Sequence, residues 1–140
     1  MSVLLGLVLA LQAPLLPAYV KVSASYLPPA KGADPAIAVT FSPVDANIRV
    51  NEDPAPRLKL DAAQEVLAEK PVARRSAPPA AGPGKYLDPA LPVTFPVALG
   101  ARAARGEHTV KATVTYFYCS KSEGWCRKGT ADVDVPVRIP

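Results

Sequence analysis

The stretch VKATVTYFYC at residues 110–119, the connector SKSEGW at 120–125, and the run CRKGTADVDVPVRI at 126–139 decide the fold. Val110, Ala112, Val114, Tyr116 and Tyr118 alternate with Lys111, Thr113, Thr115 and Phe117, and Val133, Val135, Val137 and Ile139 alternate with Asp132, Asp134, Pro136 and Arg138. A period of two over this length is the pattern of a strand with one face on a core, and two such runs in succession predict a long antiparallel hairpin. Cys119 and Cys126 then stand at or near the two mouths of its connection.

Working back from the hairpin, strand patterns continue. Val20, Val22, Ala24 and Tyr26 alternate with Lys21, Ser23 and Ser25, and Pro28, Pro29 and Gly32 end that run. Short strands are expected at 37–41, at 48–50 and around Leu58 and Leu60. A turn follows the second of these at Asn51, Glu52, Asp53 and Pro54. Residues 61–70 admit two readings. Asp61 and Gln64 resemble a helix capping box over good helix formers, while Pro71 limits any helix to under three turns, which leaves a turn plus strand as the equal alternative. From Pro71 to Pro96, both included, there are seven prolines, which predict a long exposed loop centred on residues 78–84. Residues 91–99, with Pro92 and Pro96, fit an edge strand whose missing N–H groups face outward. With no repeat and no alternation of strands with long helices, the expected fold is an all-β antiparallel sandwich.

The composition agrees. The chain has 140 residues, enough for one domain and one core. It is 49% hydrophobic and 20% charged, too apolar for wholesale disorder, and its 17 Pro argue against long helices. The net charge of +4 is spread out, with Arg74-Arg75 and Arg127-Lys128 the only adjacent basic pairs, so no stripe for phosphate contacts forms and no nucleic-acid partner is expected.

At the N-terminus VLLGLVLAL (3–11) is uninterrupted by charge, and no charged side chain precedes Lys21. This run is long enough for the apolar region of a signal peptide. It is too short, with Pro14 and Pro17 behind it, for a membrane span of about 20 residues. Residues 1–18 are therefore expected to be a signal peptide or N-terminal apolar segment, with a buried first strand as the alternative, and residues 19–140 the domain. The expected location is exported, periplasmic or extracytoplasmic. In an oxidising compartment the two cysteines can persist as a disulfide.

A lone cysteine pair at a hairpin end supports two chemistries. As a structural staple, closing an eight-residue loop is worth about 2.5 kcal/mol by chain entropy. As a redox pair, Cys119 and Cys126 have Lys121, Arg127 and Lys128 within two residues against Glu123 alone, a balance that favours the thiolate, and Trp125 offers an apolar surface to shield a sulfur or meet a partner. From the residues themselves both stand. Other sites are weak. His108 is the only histidine and has no nucleophile motif to pair with. Two Cys and one His without spaced carboxylates do not make a zinc site, so no metal or other cofactor is expected. Asp132 and Asp134 lie on an outward strand face.

The run GEHTVKATVTYFYC (106–119), followed by Gly124-Trp125-Cys126 and a closing Val-rich strand, resembles the N-terminal periplasmic domain of the DsbD thiol:disulfide interchange family, also called disulfide bond corrector proteins. Residues 51–60 and LPVTFPV (91–97) are similar to weaker family positions. The resemblance implies an immunoglobulin-like antiparallel β-sandwich in which Cys119 and Cys126 form a redox-active pair. It further implies electrons received from a thioredoxin-like protein or membrane electron conductor and passed to an oxidised periplasmic acceptor. Six residues separate the cysteines here, against five in the best-known members. Tyr86 is the nearest aromatic to the position of the family's cap loop, and electrons must arrive from a separate protein. The alternative from a different class is a non-enzymatic β-sandwich, a binding or accessory domain with a purely structural disulfide.

Overall fold

The computed structural model describes residues 18–61, 65–69 and 86–140. Among them every regular element is a strand: β1 (Val20–Leu27), β2 (Ala36–Pro43), β3 (Ile48–Val50), β4 (Arg57–Leu60), β5 (Leu67–Glu69), β6 (Val93–Leu99), β7 (Gly106–Ser120) and β8 (Cys126–Ile139). All pairings are antiparallel. One sheet has the order β1-β2-β6-β5; in the other, β7 pairs β3 and β4 on one side and β8 on the other. The fold is all-β and antiparallel, as the alternation predicts.

The two sheets bury one shared core. Ile37, Val39, Val93 and Val97 from the first sheet and Val110, Val114, Val135 and Val137 from the second are almost wholly shielded from water. β-branched side chains suit this setting because they pack against neighbours on a pleated surface. The Phe41 and Tyr116 rings meet from opposite sheets with centroids 5.3 Å apart. Further along, the Leu60 N–H of β4 donates to the Glu69 carboxylate of β5, tying the sheets where each has a short strand.

One local expectation is overturned, at Pro96, and two are sharpened. Residues 67–69 form β5 rather than a helix, the turn-plus-strand alternative, and residues 62–64 lie outside the described set. The segment around Pro96 is not an edge: β6 lies between β2 and β5. Proline is accommodated because the Val97 N–H points toward β2 and donates to Pro35, which turns the Pro96 nitrogen to the other side. There, pairing with β5 covers only Val97–Leu99. The long hairpin extends further than the apolar runs alone, so that both cysteines lie within the ladder itself. The proline-rich loop at 71–85 and the apolar run at 1–17 fall outside the described residues.

Candidate functional site: the disulfide at the tip of the β7–β8 ribbon

Cys119 is the penultimate residue of β7 and Cys126 the first of β8, and the register sets them directly opposite each other. The next pair along, Ser120 and Trp125, is hydrogen-bonded, with the Ser120 N–H donating to the Trp125 carbonyl at 2.9 Å. Pairs alternate in an antiparallel ladder, so the cysteines occupy the close, non-hydrogen-bonded kind, and their Cα atoms are 4.0 Å apart. They are joined as a disulfide.

The connector is held firmly. Asn47, just before β3, accepts the Lys121 N–H at its carbonyl and the Ser122 N–H at its Oδ1, and its Nδ2 donates to Ser120 Oγ. Ser120, 2% exposed, also accepts the Glu123 N–H at Oγ. Gly124, at φ 73°, takes the left-handed conformation that the return to Trp125 requires.

Strand alternation sorts the tip into two faces. Tyr116, Tyr118, Trp125 and Arg127 follow the side that carries the core. There Tyr19 packs against Tyr118 and Trp125, with centroids 5.9 and 5.2 Å away, and Tyr118 meets Tyr116 at 5.7 Å. The Arg127 guanidinium lies 4.1 Å from the Trp125 ring centre and 5.8 Å from that of Tyr19. The Trp125 indole N–H donates to Glu123. Burial, and then the neighbouring Tyr118, raise the Tyr116 phenol above its usual pKa.

The cysteines belong to the opposite, outward face, together with Phe117, Lys128, Arg49 and Asn51. Trp125 and Arg127, expected beside the sulfurs because they adjoin Cys126 in sequence, therefore project to the other side of the ribbon. Lys128 stays on the sulfur side. The cation that sequence reading missed is Arg49, directly opposite Cys119 on β3. Its guanidinium lies 5.3 Å from the Tyr86 ring centre, and Tyr86 forms a bridge with Asn51, so Tyr86 borders this face. The Asn51 side-chain amide reaches the disulfide itself, its Oδ1 3.2 Å from Cys119 Sγ. Arg49 and Tyr86 also line a cavity of about 670 Å³ whose apolar wall includes Phe41, Ile48 and Leu87. Alternation in IRV (48–50) shows that Arg49 points away from the core, but nothing in three residues reveals which strand they pair with.

The two cysteines differ in access. Cys119 is 6% exposed and Cys126 is exposed. Thiol–disulfide exchange requires a thiolate to reach one sulfur while the other leaves, and of the two Cys126 is the one such a thiolate could reach.

The remaining candidates are placed simply. His108 is half-buried on β7, its Nε2 2.7 Å from the Ala104 carbonyl. Asp132 and Asp134 are exposed on β8, with the Thr113 hydroxyl donating to Asp132 at 3.1 Å. Among the described residues no three His, Cys, Asp or Glu side chains cluster as a metal site, and no helix is long and apolar enough to cross a membrane. No protein-family model, curated protein or solved structure matches the chain.

Proposed function

We propose that the chain is an exported thiol:disulfide interchange domain of the DsbD N-terminal type, immunoglobulin-like in architecture, which passes electrons between thioredoxin-fold partners through Cys119 and Cys126. The observation that carries this reading is the asymmetry of the bridge: one cysteine exposed, the other covered, on a connector tied down by Asn47. A preorganised tip presents the same target in every encounter.

In the reductive half-cycle a partner thiolate attacks Cys126 Sγ. A new bond forms between the partner sulfur and Cys126, the Cys119–Cys126 bond breaks, and its electron pair leaves on Cys119 Sγ. The partner's second thiolate then attacks its own first sulfur and releases Cys126. The partner dithiol ends as a disulfide and this pair as two thiols, a transfer of two electrons and two protons. Reversal of these steps against an oxidised periplasmic acceptor passes the electrons on.

The second reading, a binding or accessory domain with a structural bridge, draws on the burial of Cys119 and the hydrogen-bonded connector. Single-cysteine variants separate the two. Mixed with an oxidised thioredoxin-like protein, Cys119→Ala, which keeps the exposed thiol, is expected to form a covalent adduct on a non-reducing gel, and Cys126→Ala none. The absence of an adduct from either variant decides for the structural reading.

A further inference from the structure

Resting on that redox reading, we propose that Asn51 is a positioning residue for the exchange step: its side-chain amide holds the departing Cys119 sulfur as the bridge opens, with Arg49 beside it supplying positive charge.

Asn51 follows β3 immediately and is fixed from two sides by its backbone. Its N–H donates to the Phe117 carbonyl at 2.8 Å, and it bridges to Tyr86. Its side chain is therefore delivered to Cys119 by main-chain bonds that any residue at this position would keep. In the disulfide, Cys119 Sγ carries no proton, so the 3.2 Å approach of Asn51 Oδ1 is a contact and not a hydrogen bond. The situation reverses when the bridge opens. The leaving sulfur becomes an anion in a covered position, cut off from the water that stabilises a thiolate elsewhere. A half-turn of the amide about its Cβ–Cγ bond brings Nδ2–H to the place Oδ1 held and supplies a donor to that anion. Once the sulfur takes up a proton, the unturned amide accepts it at Oδ1. An amide carries both a donor and an acceptor, so it serves each state in turn.

Charge on this face favours the same outcome. Arg49 is the cross-strand neighbour of Cys119, at the spacing where side chains on one sheet face interact, and Lys128 follows Cys126 by two residues on the same face. Tyr86 and Phe117 contribute ring surface. Among the described residues the register places no carboxylate on this face within two positions of Cys119 along β3, β7 or β8.

The test is the rate at which dithiothreitol reduces the oxidised protein at neutral pH, with Asn51→Ala and Asn51→Asp compared with wild type. Hydrogen bonds to charged groups are worth enough to expect a loss of about tenfold for Asn51→Ala. A larger loss is expected for Asn51→Asp, whose carboxylate repels the leaving thiolate. In the reduced proteins, alkylation followed against pH is expected to show the Cys119 thiol titrating higher in Asn51→Asp than in wild type, a change that a packing role would not produce. Equal urea midpoints for the oxidised forms confirm that the variants fold. Wild-type rates and an unchanged titration in both variants overturn the proposal. Because dithiothreitol attacks any accessible disulfide, the result is read independently of the partner experiment. Adduct formation with unchanged Asn51 rates removes this inference alone, and slowed rates without an adduct remove the interchange function while leaving Asn51's effect on the bridge.

Discussion

The body of the β7–β8 ribbon and its tip obey the same alternation but use it differently. In the body, Val110, Val114, Val135 and Val137 face the other sheet and vanish from solvent, while the outward positions carry Lys111, Thr113, Asp132 and Asp134. At the tip the core side becomes the aromatic group of Tyr19, Tyr118 and Trp125, and the outward side, idle along the body, holds the disulfide with Asn51 and Arg49. Position along one ribbon thus divides how it is held: the body by burial, and the tip by a covalent bond and a hydrogen-bonded connector.

If that division is right, damage to the body should cost most. Phe41→Ala removes the ring that packs on Tyr116 across the sheets and is expected to destabilise the domain by about 3–5 kcal/mol, read from the urea midpoint. Replacing both cysteines by Ala should cost less, about 2.5 kcal/mol, and leave the β-sheet circular dichroism intact, since the core does not depend on the bridge. A loss of fold on removing the sulfurs would break the comparison.

The boundary between body and tip lies at Gly129, which pairs with Tyr116 and is covered by its ring. A Cβ there would stand 2.5 Å from the ring, so Gly129→Ala must displace Tyr116 and, through it, Tyr118. The expected cost is about 1–3 kcal/mol. The smallest effect is a pH dependence. The Tyr116 phenol is raised in the folded state, so its contribution is fully present below the unfolded value of 10.0 and is lost as pH rises through the folded value. Stability should fall above pH 10, and Tyr116→Phe should reduce that slope when urea midpoints are compared across alkaline pH.

The body of the ribbon was legible because a period of two over many residues admits few alternatives. Val110 to Tyr118 and Val133 to Ile139 gave their core faces directly, and β1 did the same. The facing cysteines followed from the hairpin. What could not be read was which short strand borders the tip. IRV at 48–50 pairs with residues some 70 positions later, and local pattern carries no information about such a partner. Arg49 and Asn51 therefore carry no local signal, while Trp125 and Arg127, adjacent to Cys126 in sequence, are taken by alternation to the face away from the sulfurs. Pro96 misled for a related reason: proline excludes a ladder bond at one nitrogen, which a strand can meet without being an edge.

Under the proposed interchange function the bridge between an exposed and a covered cysteine is poised for exchange, and its equilibrium reduction potential against dithiol buffers of known poise tests this. Structural disulfides typically fall below about −300 mV. A value clearly above that bound, with the fold retained in the reduced protein, is the predicted result. A value below it would contradict the account and leave the tip as a staple.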